Sequence, residues 1–557
     1  VLHEPTGRRL RYGALATAAG RRDVPEAVEL DDAPRGALVG RSVPRVDIPD
    51  KATGAARYGI DVRVPGMLRA TVVHPPPGAS LRSHDAEAAR RLPRIRDVLE
   101  IAGGIAVVAD DTWSAFRGAE ALDARFTEAP NRDLEADLRA ALATGGAFAN
   151  DRRPSAPIDG AGPRFEATYL LPFLGHWGLE PTNATAHVTD ARCDIWAPTQ
   201  HPQGVREHAA RHLGLEEAAV VVHSTLIGGG FGRRVSDDEV LEAVELSRRC
   251  GAPVQVTWPR EEDSAQDRFR PASFHRLRAE LAADGRPRRW HHALAAPSIT
   301  GRRALDDGVD PLAVQGAHPI PYAVDELTVE WADLSPSPLP VGFWRSVGHS
   351  YNAFAVECFV DELAERANED AAAYRRRLYR DDDVGRRHRA VLDRVIQMSA
   401  WPGETVREER ALGLAVHEAF ESVVALVAEV EAVRGQLRAR RVWAAVDCGL
   451  VIDPRNARAQ VEGGIAFGLS ATWWGRAEPG PRGVLQRNFD QIRHLRLADM
   501  PQVAVEFVPG RLRPGGVGEI GVPPVAPAIA NAVARLRGDR PRRLPIDVAA
   551  ERSPTAG

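Results

Sequence analysis

The stretch AVVVHSTLIGGGFGRR (residues 219–234) joins a β-branched apolar run to a glycine-rich turn. Such a run favours a buried strand, and successive glycines let the chain turn sharply. The following segment, DDEVLEAVELSRRCG (237–251), has apolar residues at helical spacing and ends at a glycine. A strand, a turn and an amphipathic helix in succession indicate a mixed α and β arrangement.

The alternation continues on both sides of this stretch. Residues 46–126 contain short strands such as MLRATVV and helices such as TWSAFRGAEALDARF, which predict a compact α+β domain. From residue 164 to about 550, strands such as RFEATYLLP alternate with helices such as HPQGVREHAARHLG. This pattern predicts a large mixed α/β region of two lobes. A linker is expected at 30–45, and 127–163 reads as a helix between loop-forming stretches.

Length and composition limit the function. The 557 residues predict two to four domains, and a net charge of −4 with 27% charged residues argues against a nucleic-acid or membrane-surface partner. No run of 18 apolar residues is present. No signal peptide is recognised, but the chain begins at Val1 in what reads as mid-domain sequence, so an export signal before Val1 stays open. Lys51 is the only lysine, so no phosphate-binding loop of the Walker A type exists. The four cysteines are far apart, which argues against an iron–sulfur centre in this chain.

The glycine turn at 228–232 has two readings. Its backbone N–H groups could bind an anion, with Arg233 and Arg234 adding positive charge, or it could be a tight structural turn. A dinucleotide-binding fingerprint is excluded because Arg233 occupies the place of the third glycine.

Two further loops carry candidate polar groups. In PVGFWRSVGHSYNAF (340–354), Arg345 could make forked bonds to a phosphate or a substrate oxygen, or could form a surface ion pair. In GGVGEIGVPPVAP (515–527), Glu519 is the only acid among glycines, prolines and apolar residues. A carboxylate in such surroundings is destabilised in its charged form and can serve as a general base. A Glu that caps the following helix is the alternative.

Two weaker signals favour ordinary structural roles. His208 and His212 have the spacing of a two-histidine metal site, but no Glu follows the first histidine, so a solvated helix face is favoured. No nucleophile elbow surrounds Ser470.

Five motifs in order resemble the molybdopterin-binding large subunit of the xanthine oxidase family of molybdenum hydroxylases, and most closely its isoquinoline 1-oxidoreductase β-subunit type. They are WAPTQHPQ, GGGFGRR, GFWRSVGHSYNAF, VDCGLVIDPRNARAQVEGGIAFGLS and GGVGEIGVPPVAPAIANAV. The segment VPRVDIPDKATGAARYGIDVRVPGMLRA (43–70) resembles the family's hammerhead domain.

The resemblance implies an α+β fold, with a hammerhead α/β domain of the aldehyde oxidase and xanthine dehydrogenase type before a two-lobed molybdopterin-binding region. The implied limits are 1–40 for the remnant of an N-terminal cofactor-binding segment and linker, 41–128 for the hammerhead domain, 129–163 for a connection, and 164–335 and 336–557 for the two lobes.

The resemblance also implies site residues and an activity. Glu519 maps to the family's catalytic base, which deprotonates the hydroxide on molybdenum, and Gln200 is expected near the metal ligands. The metal is held by the pterin dithiolene, so no protein ligand is expected. The residues expected to bind the cofactor are Gly229, Gly230, Phe231, Gly232, Arg345, Gly516 and Gly518. The residues expected to line the substrate pocket are Val235, Phe343 and Trp344.

The implied cofactor is molybdenum–molybdopterin, with the cytosine dinucleotide form as one alternative, and electrons leave through the iron–sulfur clusters of a small 2Fe–2S partner subunit. Purine-hydroxylating members have a Glu where this chain has Val235, which favours an N-heteroaromatic or aldehyde substrate.

A second departure is that the G-Q-G segment of isoquinoline-type members is not found. The sequence therefore leaves open a truncated, cofactor-incompetent subunit or assembly scaffold, a separate polypeptide that carries the segment, and a generic nucleotide binder built on 228–234.

Overall fold

The computed structural model describes residues 1–28, 38–129, 132–149, 155, 158, 163–301, 305–402, 406–407, 409–511 and 513–549. The helices of this part of the chain are α1 (Tyr12–Ala19), α2 (Ile48–Thr53), α3 (Ala86–Arg90), α4 (Thr112–Ala121), α5 (Leu134–Ala143), α6 (Pro202–Leu213), α7 (Asp238–Cys250), α8 (Arg260–Ala265), α9 (His349–Arg366), α10 (Ala371–Leu378), α11 (Asp383–Ser399), α12 (Pro454–Trp473) and α13 (Val525–Arg537).

The strands are β1 (Leu2–His3), β2 (Arg8–Arg9), β3 (Leu68–Val73), β4 (Leu81–Ser83), β5 (Ile95–Ile101), β6 (Gly104–Ala109), β7 (Arg125–Phe126), β8 (Ala147–Phe148), β9 (Arg164–Leu171), β10 (Asn183–Val188), β11 (Cys193–Ala197), β12 (Val220–Ser224), β13 (Val254–Thr257), β14 (Ser273–Leu281), β15 (Pro287–Ala296), β16 (Glu326–Asp333), β17 (Val406–Arg407), β18 (Arg410–Ala419), β19 (Ser422–Val433), β20 (Gln436–Asp447), β21 (Pro479–Gly480), β22 (Gly483–Val484) and β23 (Gln502–Phe507). The strands and helices expected around 67–73, 164–172, 201–214 and 237–251 are therefore confirmed.

A seven-stranded sheet in the order β12-β11-β10-β13-β3-β6-β5 carries the glycine turn that follows β12. Strand β6 is buried on both faces, because Ala106 and Val108 pack in a cluster with α7 whereas Ile105 and Val107 pack in a cluster near α3 and α4. Successive side chains of a strand point to opposite faces. This double burial explains why β6 reads as a continuous apolar run.

This sheet combines distant parts of the chain. Strand β3 pairs in parallel with β13, with Leu68 opposite Val254, and antiparallel with β6, with Thr71 opposite Val107. Strands from the segment 46–126 thus share one sheet with strands from the next region. The domain limits given above stay a prediction.

Two five-stranded sheets form the rest of the described core. Their orders are β8-β16-β15-β14-β9 and β17-β18-β19-β20-β23. Helix α9 is buried along nearly its whole length and contacts β9, β14 and β18, while α13 packs on β18 and β19. These helices position the loops that precede them, namely the Arg345 loop before α9 and the Glu519 loop before α13.

A close contact between α12 and the segment that precedes α13 fixes the Glu519 loop. A side chain at Gly464 of α12 would bring its Cβ to 2.9 Å from the Cα of Gly521. Only a residue without a side chain lets the 519–521 segment lie this near the helix. Gly464 and Gly468 of VEGGIAFGLS therefore serve packing, whereas a Cβ at Gly463 would meet nothing within 4 Å.

Other expectations concern segments that are described only in part. Helix α5 lies inside 127–163, as expected, but 130–131, 150–154, 156–157 and 159–162 are outside the described residues, as is 30–37 of the linker. Among the described residues, no helix combines the length and apolar content needed to cross a bilayer.

Candidate active site

Glu519 is held by the loop that precedes α9. The backbone N–H of Ser346 donates to Glu519 Oε1 at 3.0 Å, and the Ser346 hydroxyl donates to the main-chain oxygen of Glu519 at 2.8 Å. The expectation that this carboxylate has almost no polar neighbour is therefore wrong. The helix-cap alternative is wrong as well, because α13 begins at Val525 after Pro524, without a capping side chain. The loop instead orients a half-buried carboxylate.

Arg345 lies beside Glu519 and binds the main chain of the same loop. Its Nε donates to the Gly518 carbonyl at 2.9 Å, its Nη2 also donates to that carbonyl, and Nη2 donates to the Gln460 carbonyl at 3.2 Å. Burial lowers the pKa of Arg345 from its ordinary value, although the charge of Glu519 opposes this shift. Arg345 is thus not a surface ion pair. It joins the loop before α9 to α12 and to the Glu519 loop.

The glycine turn is organised by a buried carboxylate that sequence reasoning did not identify. The Gly228 N–H donates to Glu180 Oε2 at 2.7 Å, while the Ile60 N–H and the Asn183 amide donate to Glu180 Oε1 at 3.1 and 3.0 Å. A carboxylate that receives several donors is well satisfied when buried. In the sequence, Glu180 is one acid of the segment GLEPTNAT (178–185), which has no local signal of this role.

The turn leaves donors free for a ligand. Among the described residues, the backbone N–H groups of Gly229, Gly230 and Phe231 have no hydrogen-bond partner, and neither have those of Val517, Gly518 and Glu519. Successive N–H groups in such turns form concave anion sites. Both runs belong to half-buried residues. This donor set fits a phosphate-bearing pterin, so the chain has residues suited to the molybdopterin cofactor.

Three stacked aromatic rings connect the glycine turn to the Arg345 loop. Phe467 of α12 stacks on Phe231 at 4.7 Å and on Trp344 at 4.8 Å between ring centroids, and the Arg345 guanidinium lies 5.8 Å from its ring centroid. Offset stacks of this kind add stability beyond burial. Phe467 lies in a quoted motif, but its helical setting gave no sign that it joins two loops.

The expected pocket residues differ in exposure. Phe343 and Val235 are half-buried, whereas Trp344 is only 3% exposed and donates its indole N–H to the Gly175 carbonyl at 3.1 Å. That Trp344 lines the substrate pocket stays a prediction, and the structure shows its ring packed on Phe467. It supports the site from behind.

Gln200 and Gly232 meet at the other end of the glycine turn. The Gly232 N–H donates to Gln200 Oε1 at 3.1 Å. Gly232 has a φ of +109°, and a Cβ there would lie 2.2 Å from the Phe343 carbonyl oxygen. The turn and the Arg345 loop thus touch backbone to backbone. Gln200 contacts the glycine turn, Glu519 contacts the Arg345 loop, and the Phe467 stack connects this turn to this loop. The catalytic roles of Glu519 and Gln200 stay predictions.

Arg233 and Arg234 do not add charge to the turn, contrary to the expectation from the sequence. Both are nearly fully buried, and the Arg233 guanidinium lies 3.6 Å from the carboxylates of Glu239 and Asp267. Burial raises the pKa of Glu239 to about 7, while Arg233 and Arg234 oppose the rise. These arginines form an internal charge cluster behind the turn.

The histidine pair of α6 makes no metal site. His208 Nδ1 lies 2.5 Å from Asp237 Oδ2, which places its ring in a side-chain hydrogen bond. Within the described ranges, no group of three or more His, Cys, Asp or Glu side chains could hold a metal ion.

The comparisons with known proteins agree with this geometry. A molybdopterin cofactor-binding domain model matches residues 152–379, and a second one matches residues 322–501. Isoquinoline 1-oxidoreductase subunit beta from Brevundimonas diminuta is 32% identical over 548 residues, which cover 91% of this chain and 68% of that protein. The membrane-bound aldehyde dehydrogenase (pyrroloquinoline-quinone) from Gluconacetobacter polyoxogenes is 31% identical over 554 residues, with shares of 91% and 72%.

The fold has a counterpart among solved structures. Quinoline 2-oxidoreductase from Pseudomonas putida 86 superposes with a TM-score of 0.79 at 15% identity, over 91% of this chain and 97% of that chain. The chain belongs to the molybdopterin-binding large subunits of the xanthine oxidase family, and it is a molybdopterin-dependent oxidoreductase.

Proposed function

We propose that the chain hydroxylates an N-heteroaromatic compound or an aldehyde at an electrophilic carbon, with water as the oxygen source and a small 2Fe–2S subunit as electron acceptor. The observation that carries this proposal is the anchored Glu519 carboxylate beside two runs of free N–H donors. The relatives named for isoquinoline and aldehyde oxidation support the substrate class, and the name "subunit beta" supports a partner.

The bound cofactor would supply the two-electron oxidation. The chain supplies orientation and proton transfer. Glu519 Oε1 accepts the Ser346 N–H, so Oε2, which has no hydrogen bond among the described residues, is the oxygen that takes the proton of the nucleophile. Because Arg345 and Ser346 both bind the loop of Glu519, they keep this carboxylate in place between turnovers.

We assign the cofactor contacts to the free N–H groups at 229–231 and 517–519, with Gly516 and Arg345 beside them and Gln200 close to the metal ligands. The cytosine dinucleotide form of the pterin is part of this proposal. So is the division into a hammerhead domain at 41–128 and two cofactor-binding lobes at 164–335 and 336–557.

The substrate preference follows from Val235 and Phe343, which are apolar and offer no side-chain hydrogen bond to a purine. A site without such partners does not favour a polar ring over an apolar one of similar size. The test compares isoquinoline, benzaldehyde and xanthine with the chain produced together with its iron–sulfur subunit. The kcat/KM for xanthine should be lower by about tenfold or more. Comparable values would refute the substrate class.

Cofactor content separates this function from a scaffold role. Molybdenum and pterin per chain should approach one in the assembled protein. An assembled protein that contains neither would favour the scaffold.

A further inference from the structure

His176 makes three buried hydrogen bonds behind the glycine turn. Its backbone N–H donates to Asp267 Oδ2 at 2.5 Å, its Nδ1 lies 2.8 Å from Asp267 Oδ1, and its Nε2 lies 2.7 Å from the Phe343 carbonyl oxygen. Only 2% of the histidine is exposed, and the aspartate is equally buried. None of the motifs that define the family in this sequence includes either residue.

The partners of the His176 ring show in which direction its hydrogen bonds run. A carbonyl oxygen can only accept, so Nε2 carries a proton. Asp267 also receives the Arg268 N–H at 2.7 Å and lies 3.6 Å from Arg233 Nε. Burial opposes its ionisation, but His176 and Arg233 keep the pKa of Asp267 below its ordinary value. The Nδ1 contact therefore falls on an ionised carboxylate, and both ring nitrogens of His176 are engaged.

The carbonyl that His176 holds is the contact point of two loops. The Phe343 carbonyl oxygen is also the atom against which Gly232 packs so closely that a Cβ would lie 2.2 Å away. Phe343 leads directly into Trp344, Arg345 and Ser346, and Gly232 ends the run of free donors at 229–231. A rotation of the Phe343 peptide would change the separation of these loops.

We propose that His176 is a positioning residue for the cofactor site, which it preorganises by fixing the Phe343 carbonyl against Gly232. The inference rests on the proposed function, because the two loops it aligns are the ones assigned to the cofactor. Asp267 holds the ring, and Arg233 stabilises Asp267 from the other side. The charge cluster behind the turn thus has a mechanical role, which differs from binding an anion directly.

Two substitutions separate the bonds of the ring. In His176→Gln, the amide nitrogen lies near the position of Nε2 and can still donate to the Phe343 carbonyl. In His176→Asn, the amide nitrogen lies near the position of Nδ1 and can donate only to Asp267. Both variants remove one ring bond, so a purely structural role would give them similar losses of thermal stability and similar site defects.

The experiment measures amide hydrogen exchange in peptides that contain 228–232 and 343–346, together with molybdenum and pterin per chain. His176→Asn should speed exchange in these two segments by about tenfold or more, the scale for leaving a buried acceptor without its donor, and should lower cofactor content. His176→Gln should stay near the parent protein in both readouts. Equal effects of the two variants, or exchange that rises throughout the seven-stranded sheet, would overturn the inference.

The exchange measurement needs no cofactor, so it decides the inference even if the parent chain is empty. An empty parent protein would refute the proposed function alone. A loaded parent protein whose two variants are equally loaded and equally protected would refute the positioning role alone.

Discussion

Ser346 binds both the side chain and the main chain of Glu519. Its backbone N–H donates to Glu519 Oε1 at 3.0 Å, and its hydroxyl donates to the Glu519 carbonyl oxygen at 2.8 Å. Ser346 does so from a φ of +77°, and Val347 follows at +49°. Two successive residues in this sparsely populated region are costly, and such conformations persist only where the surroundings enforce them. The strained turn points the Ser346 N–H at the carboxylate.

Replacing Glu519 by Gln should leave folding and cofactor content unchanged and slow turnover by at least about 10²-fold, the low end for losing a positioned base. The amide has nearly the same volume but cannot take a proton. Steady-state rates per molybdenum and melting temperature measure the two effects. Glu207→Gln on α6, whose half-buried side chain bonds only Gln203 among the described residues, is the matched control and should keep the parent rate. A fully loaded Glu519→Gln variant with near-parental turnover would exclude the base assignment.

Replacing Ser346 by Ala should lower kcat less than the Glu519 change does. The variant keeps the N–H bond to Oε1 and loses only the hydroxyl bond to the main chain, worth about 0.5–1.5 kcal/mol. We expect kcat to fall by roughly tenfold or less, with KM little changed. A loss as large as that of Glu519→Gln would mean that the hydroxyl itself takes part in chemistry.

Replacing Gly232 by Ala should disrupt the junction of the two loops. Alanine at a φ of +109° is strained, and its Cβ would collide with the Phe343 carbonyl. Gly214→Ala is the matched control, because Gly214 also has a positive φ, +70°, but its Cβ would meet nothing within 4 Å. The control should cost about 1–2 kcal/mol, while Gly232→Ala should cost more and also reduce cofactor content. Equal melting temperatures and equal loading of the two variants would contradict this expectation.

The stabilisation that His74 gives the folded protein should be lost at alkaline pH. Its Nδ1 and Nε2 lie 2.7 and 2.6 Å from Glu262 and Glu242. Burial alone would lower the pKa of His74, but these carboxylates raise it to about 10. A raised folded pKa gives stabilisation that is fully present below the unfolded value of about 6.5 and is lost as pH rises through about 10. The melting-temperature gap between the parent protein and His74→Gln should therefore shrink from pH 6 to pH 10. A constant gap would show that the contacts of His74 with Glu242 and Glu262 do not stabilise the fold through a charged His74.

The local sequence pattern predicts a helix or strand correctly where each face of that element keeps one environment, buried or exposed, along its whole length. The helical spacing of 237–251 and the apolar run of β6 predict what forms, because each buries the faces that its own periodicity marks. The pairing of β3 with β13 was beyond reach, since a parallel contact between distant segments leaves no trace in either segment.

The site shows the same division. Glu519, Arg345 and Gly232 lie in loops that the glycines and prolines of the sequence predict, and each of the three residues lies where two loops meet. The burial of Arg233 and Arg234 was missed because their partners, Glu239 and Asp267, approach from other elements. Phe467 was missed because a phenylalanine on an apolar helix carries no sign of what it stacks on.

The position of β3 between β13 and β6 also bears on how the chain is made. A nascent chain that has emerged only to about residue 128 contains β3, β5 and β6, but the partner that pairs with the other side of β3 lies at Val254–Thr257. Until the ribosome has released that strand, β3 presents a row of unpaired N–H and C=O groups, which is a template for pairing with a second chain. A fragment cut after residue 128 would keep this open side permanently and self-associate through it.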